Sequence, residues 1–347
     1  VASALFTDQI DNPVGEILAG GIQSSLQQSP YVTASLRADS SELELQVQMP
    51  HQADWVPESR EYYFGPDGEG NAPTLPRLQG TLFSLQTYRD FSQVWMRAGD
   101  LFGAEVNDSL AQADANLTTL FAGKDFGEDI LGSFEPQVGL VATRQHFEED
   151  APVPTIKLPA FAAIFELREP ESMTRELRRT FQSLIGFLNV VGAMNGQRQL
   201  ELGIESASEG TQLISSSYVP EEDDIGSLDA GIVFNFSPTI GFSGGRCVIS
   251  SSKNLARQLV ESTSDAETAV GINTQADLNA EVLGQLLSDN RGQLVAQNMM
   301  EDGNSREEAE ATIDLILEVV GYFQDASAKL TNNDGRLQFN LSLKVGP

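Results

Sequence analysis

The sequence predicts an α+β fold: repeated helix–β-hairpin units forming largely antiparallel sheets, with helices packed on one face. Three observations carry this expectation. An apolar helical pattern runs at once into a two-stranded hairpin near the C-terminus (ASAKL, the turn NNDG, RLQFNLSL). The same order occurs near the start (YVTASLRA, a DSS turn, ELELQVQM) and in the middle (QLELGIES, an ASEG turn, TQLISSSYV). Strands joined by short hairpins pair antiparallel, and turns at matching points favour a repeat. Finally, 347 residues with 40% hydrophobic and 20% charged side chains are enough for two or three ordinary domains with real cores.

Asn12 followed by Pro13 is a helix start, with Asn as N-cap and Pro at the first helical position. The helix 13–28 should bury Ile17, Leu18, Ile22 and Leu26. Residues 31–38 and 42–49 alternate as a hairpin, and five prolines make 50–79 a long loop. A strand is expected at 81–85. Thr87 with Asp90 resembles a capping box opening a helix through Phe91, Val94 and Trp95. A second helix should cover 107–122, followed by the strands VGLVATRQ and AFAAIFELRE. Pro170 opens a helix of about 22 residues with Met173, Leu177, Phe181, Leu184, Leu188 and Val191 at 3/4 spacing.

After the middle hairpin, PEEDDIGS reads as an acidic loop and domain boundary. GIVFNFSP and RCVISSS read as strands, SKNLARQLVES as a helix and AVGINTQ as a strand. Thr274 with Asp277 is expected to open a long helix to about residue 300. MEDGNS breaks it, and Ser305 with Glu308 forms the capping box of the last helix. The resulting division is 1–79 (helix–hairpin unit and Pro/Gly-rich loop), 80–220 and 221–347 (two α+β units).

Fifty acidic against 21 basic residues give a net charge of −29. Such a surface repels nucleic acid and an anionic membrane face, and it attracts cations diffusely. No apolar run approaches the roughly 20 residues of a membrane helix. The opening VASA resembles the small-residue end of a secretory signal. Cys247 is the only cysteine, which excludes an internal disulfide and a cysteine-rich zinc site; in RCVIS it reads as a packing thiol.

Motifs for chemistry are sparse. Gly241-Phe242-Ser243-Gly244-Gly245 matches the nucleophile-elbow string, but a strand rather than a helix follows, and no His lies downstream. The two histidines are too few for a usual zinc enzyme: His51 reads as loop surface, and His146 adjoins Glu148, Glu149 and Asp150 at a strand exit. For calcium, Glu221, Glu222, Asp223 and Asp224 form one acidic cluster. Asn332, Asp334 and Gly335 resemble an EF-hand fragment, but Leu330 and Leu341 would occupy ligand positions. Tyr62-Tyr63-Phe64 is the best aromatic cluster, either a binding surface or an anchor of the proline-rich loop.

Three segments carry a resemblance: FGEDILGSFEPQVGLVATRQ, LPAFAAIFELREPESMTRELRRTFQSLIGFLNVVG and the closing hairpin. Residues 80–345 resemble large uncharacterised exported proteins of planctomycete-type bacteria, grouped as a domain of unknown function. The acidic-Leu-Gly step (Glu128, Asp129, Leu131, Gly132) is the most specific element. The resemblance implies export to the periplasm or cell envelope and a repeated α+β body, and it transfers no catalytic residue.

The residues therefore give no catalytic, cofactor or metal set. The leading expectation is a non-enzymatic envelope protein acting through its surface as a binding or structural module. The alternatives are a carrier of an apolar, lipid-like ligand held between helices and sheet, and a carboxylate-based hydrolase. A Phe-, Leu- and Val-lined cavity favours the carrier, a solid core the surface module, and two facing carboxylates the hydrolase.

Overall fold

The computed structural model describes residues 12–147, 151–206, 210–221, 224, 227, 230–262 and 270–346. Twelve strands form one open, wholly antiparallel sheet. In chain order they are β1 (Thr33–Ala38), β2 (Glu42–Pro50), β3 (Thr81–Tyr88), β4 (Phe134–Thr143), β5 (Ala160–Leu167), β6 (Leu200–Glu205), β7 (Thr211–Tyr218), β8 (Thr239–Ser243), β9 (Arg246–Ser250), β10 (Ile272–Asn279), β11 (Phe323–Asn333) and β12 (Arg336–Val345). Their order across the sheet is β1-β2-β12-β11-β10-β3-β4-β5-β9-β8-β7-β6. The segments 1–79, 80–220 and 221–347 all contribute strands, because β2 pairs with β12, β3 with β10 and β5 with β9.

The helices are α1 (Pro13–Gln28), α2 (Glu61–Phe64), α3 (Phe91–Met96), α4 (Ala98–Leu101), α5 (Ala104–Leu120), α6 (Pro170–Met194), α7 (Lys253–Glu261), α8 (Ala280–Asp289), α9 (Arg291–Asp302) and α10 (Arg306–Gly321). The order helix then hairpin occurs as α1-β1-β2, α6-β6-β7 and α10-β11-β12. Asn12 caps α1 through the amides of Val14 and Gly15, and Ser305 and Glu308 make the reciprocal box on α10. The closing hairpin turns at Asp334 and Gly335, both at positive φ, as a two-residue turn matched to strand twist requires.

The register reveals how the sheet is used. One row of paired residues crosses all twelve strands and is apolar throughout: Leu36, Leu45, Leu341, Ala328, Ala276, Leu85, Leu140, Ala163, Ile249, Ile240, Ile214 and Ile204. Directly paired residues share a face. The neighbouring row of the other face runs Ser35, Gln46, Asn340, Lys329, Gln275 and Gln86, then changes character to Gly139, Ile164, Val248, Gly241 and Leu213. The sheet is thus amphipathic from β1 to β3 and apolar on both faces from β4 to β7.

That change explains where the helices sit. On the continuously apolar face, α1, α2 and α3–α5 pack over Met49, Leu330 and Leu337. Further along the same face, α5 and α6 cover Ile214, Ile240, Phe242 and Cys247. On the opposite face α7 covers Ile164, Leu213 and Val248 through Leu255, Ala256, Leu259 and Val260. Helices therefore occupy both faces, not the single face expected, because β4–β9 present an apolar surface on each side that must leave water. A further helical group, α8–α10, packs α8 on β3 and β11 and closes on Val295, Ala309 and Ile313.

Four local expectations are corrected. Thr87 lies in β3 and Asp90 alone caps α3, accepting from the Gln93 amide. Thr274 and Asp277 lie in β10; its helix starts only at Ala280, capped by Asn279. In both cases the threonine falls on a strand whose alternation wins because its partners bury it. GIVFNFSP is not one strand: Ile232–Asn235 is a 3-10 turn, and β8 begins at Thr239. The 50–79 segment contains α2, whose three aromatic residues are core rather than loop surface.

Candidate functional site

Between the sheet and its helical cover lies a cleft of about 560 Å³. Its floor is the apolar face, with Val138 and Leu140 of β4, Phe165 of β5 and Ile249 of β9. Its roof is helical: Val94 and Trp95 of α3, Leu110 of α5, and Phe126 and Ile130 of a π turn, Phe126–Ile130. Ile17 of α1 and Leu177 of α6 close its sides. The volume falls in the range of small-molecule sites, and so does the apolar lining.

Local rules place this roof. Asp125 caps the π turn by accepting from the Glu128 amide, and the Ser92 hydroxyl donates to the Gly127 carbonyl, tying the turn to α3. The Trp95 ring meets Phe126 edge-on at 4.9 Å, while its indole N–H donates to Asp114 of α5 at 3.0 Å. Leu140 on the floor remains 38% exposed and Ile249 is 45% exposed, so the cleft is open along the sheet. A second apolar hollow of about 310 Å³ lies on the same face under α1, lined by Ile22, Val47, Met49, Leu330, Leu337 and Phe339.

The polar atoms nearest the cleft are held firmly. Arg89, at the end of β3, lines it while donating from Nε to the Ile17 carbonyl and from Nη1 to the Tyr88 and Tyr63 carbonyls and to Asn273 Oδ1. Its guanidinium carbon sits 3.4 Å from the Tyr63 ring centroid. Burial pushes the Arg89 pKa below its ordinary value. Behind it, Glu16 of α1 forms a buried ion pair with Arg60, accepting from Nε at 2.6 Å and Nη2 at 2.8 Å, and accepts from the Tyr62 hydroxyl at 3.0 Å. Burial raises the Tyr62 pKa further above its usual range. Gly20 and Gly21 permit this docking, since a Cβ on Gly21 would meet the Tyr63 ring at 2.5 Å.

His51 is not loop surface. It is 4% exposed, with its ring 5.0 Å from that of Phe64 and tilted by 49°, because β2 carries it into the core under α1. Ser25 Oγ lies 3.1 Å from the Gly21 carbonyl oxygen and 2.8 Å from His51 Nδ1, and the ring tautomer decides which contact takes its proton. Burial lowers the His51 pKa, which favours the neutral ring.

The other marked residues are dispersed. Ser243 ends β8 before the Gly244-Gly245 hairpin turn, in an open groove of about 860 Å³ that also holds Arg175 and Arg178, far in the chain from either His. Cys247 is fully buried under α6, and burial drives its thiol pKa well up, so it is a packing group. Tyr62, Tyr63 and Phe64 are buried and anchor the loop. His146 is exposed; Glu148, Glu149 and Asp150 lie outside the described residues, as do Glu222 and Asp223. The Glu221 amide, with Arg198 beside it, holds the Asp224 carboxyl below the usual range. Asp334 is a turn residue. Burial raises the pKa of Glu166, but its neighbour is Arg246 rather than a second acid. Among the described residues no group of three or more His, Cys, Asp or Glu is placed to hold a metal ion. Nor is any of the described helices long and apolar enough to cross a membrane.

Sequence reasoning missed the cleft and Arg89. Each strand's alternation was legible, but a shared level on one face depends on a strand order in which sequence-distant strands become neighbours. Comparison of the chain with protein-family models, curated proteins and solved structures finds no match.

Proposed function

We propose that this protein binds and carries an apolar ligand of the acyl-chain type in the cleft between its sheet and the helices α3 and α5. One observation carries the reading: the cleft of about 560 Å³ whose floor is Val138, Leu140, Phe165 and Ile249. A continuously apolar sheet face is normally covered in full, since bare apolar area costs roughly 25 cal/mol per Å². Here its middle stays open beneath a helical roof, which is what a molecule entering from the side needs. Catalysis is not required, in keeping with the scattered positions of Ser243, His51, His146 and Cys247.

The test is titration with N-phenyl-1-naphthylamine, a neutral dye that brightens in apolar sites. Wild-type protein binds it stoichiometrically. Leu140→Glu puts a charge on a partly exposed floor position, so the fold persists while affinity falls at least about tenfold. Ile204→Glu, on the edge strand β6, leaves binding intact. Equal binding by the wild type and Leu140→Glu means that the cleft is not the site.

A second reading, a surface-acting module, is favoured by the C-terminal half of α6. Phe187 and Met194 are 62% and 82% exposed, Val190 lies on the same stretch, and Ile204 of β6 is exposed as well. Patches of this kind mark interaction surfaces. The resemblance of residues 80–345 to exported envelope proteins supports placing either activity in a cell envelope. Phe187→Asp with Val190→Asp abolishes partner association under this reading and leaves dye binding unchanged.

A further inference from the structure

We infer that Arg89 is the headgroup site of the cleft, and that the ligand is an anionic amphiphile whose charged oxygen meets the guanidinium while its tail lies over Val138, Leu140 and Phe165. The inference rests on the apolar-cleft reading and adds the polar end.

Arg89 is only 2% exposed. Its Nε and Nη1 are fully used by carbonyl oxygens of Ile17, Tyr63 and Tyr88 and by Asn273 Oδ1. None of these bonds uses Nη2, and the guanidinium forms no ion pair with a carboxylate among the described residues. The one fully buried side-chain nitrogen or oxygen without a partner among those residues is His51 Nε2. Arg89 lines the cleft, and Nη2 is the guanidinium nitrogen that none of these bonds engages. The two acids of the cleft rim are committed elsewhere: Asp90 caps α3 through the Gln93 amide, and Glu135 pairs with Arg168 at 3.4 Å.

Carbonyl dipoles and the Tyr63 ring orient the cation without neutralising it. An unpaired charge buried beside apolar walls is unfavourable, and supplying its counterion is correspondingly favourable. The donor is also preorganised. Asn273 is itself locked by donating to the Tyr63 and Gly70 carbonyls and by accepting from the Thr274 hydroxyl. Little side-chain freedom remains to be lost on binding. A carboxylate or phosphate at the end of one apolar chain supplies the missing acceptor; an alcohol supplies a weaker one, and a quaternary ammonium repels.

The net charge of −29 makes the test sharp, because the overall field of the protein disfavours anions. Preference for an anion then reports a local cation. Hexadecanoate, hexadecyl phosphate, hexadecanol and hexadecyltrimethylammonium, each below its aggregation limit, displace N-phenyl-1-naphthylamine from wild-type protein at pH 8. The expected ranking puts both anions roughly 10- to 100-fold tighter than the alcohol, with the ammonium weakest. The ratio between hexadecanoate and hexadecyl phosphate identifies the headgroup. Arg89→Gln should bring anions and alcohol together, and Arg89→Lys should restore part of the gap. Arg89 also ties α1 and β10, so the wild-type ranking, which needs no substitution, stands as the independent arm. Equal affinity for all four amphiphiles overturns the Arg89 assignment and leaves the apolar cleft intact. No displacement by any of them, together with no dye binding, overturns the cleft reading and this one with it.

Discussion

Substituting Glu16→Ala tests how the cleft wall is held. Glu16 is fully buried on α1 and receives two charge-assisted bonds from Arg60 and one from Tyr62. Removing the carboxylate takes two charge-assisted bonds from a guanidinium that is only 7% exposed. Breaking a buried pair from one side costs about 3–5 kcal/mol. The entropy of unfolding is about 2.1 cal/mol/K per residue, or roughly 0.7 kcal/mol/K for 347 residues. If the chain melts as one unit, Tm falls by about 4–7 °C. Calorimetry at pH 7, with refolding checked on a second scan, measures this. Replacing both partners, Glu16→Leu with Arg60→Met, should recover most of the loss, since no charge is then stranded and the Tyr62 hydroxyl still donates to the Glu16 backbone carbonyl at 2.8 Å. A Glu16→Ala protein melting within about 1 °C of wild type would refute the reasoning, for it would mean that Arg60 finds water and α1 is not docked as described.

Other perturbations have equally definite outcomes. Gly21→Ala forces a Cβ to within 2.5 Å of the Tyr63 ring, so it should destabilise by about 1–3 kcal/mol despite the better helix propensity of Ala; urea unfolding with an unchanged m-value reads this. Truncation after Gly303 removes β11 and β12, which join β10 to β2, so it should strip β1–β2 from the sheet and yield insoluble protein. A monomeric truncated protein with an unchanged melt would contradict that. Asp289 accepts two bonds from Arg144, which hold its carboxyl below the usual range. A depressed pKa contributes stability above the unfolded value near 3.8 and loses it as pH falls through the folded value. Asp289→Asn should therefore cost about 1–2 kcal/mol at pH 7, and its deficit relative to wild type should shrink below pH 4.

Much of the fold is legible locally and little of it globally. The N-cap at Asn12, the capping box at Ser305 and Glu308, the long helix from Pro170 and the hairpin turn at Asp334-Gly335 follow from short-range rules that the structure obeys. Thr87 and Thr274, which open the capping patterns ending at Asp90 and Asp277, fall in strands instead, because pairing of β3 with β10 decides their state and that pairing joins residues 187 apart, as in the Thr87–Thr274 hydroxyl contact. The apolar row is legible only strand by strand: Leu45, Leu341, Leu85 and Leu140 line up only once β2, β12, β3 and β4 are ordered. Arg89 carries no sequence signal at all. Only the convergence of Ile17, Tyr63 and Asn273 makes it buried beside the cleft.

The central claim is that an acyl-chain ligand lies on the sheet beneath α3 and α5. A fatty acid with a photoactivatable diazirine midway along its chain tests this directly. After equilibration and illumination, peptide mass spectrometry locates the adducts. The predicted adducts fall on β4 at residues 138–140, on Phe165 of β5, and on the roof at Val94, Trp95 and Phe126, and unlabelled hexadecanoate suppresses them. Adducts confined to the exposed end of α6 around Phe187–Met194, or spread over the surface and insensitive to competitor, would contradict the claim.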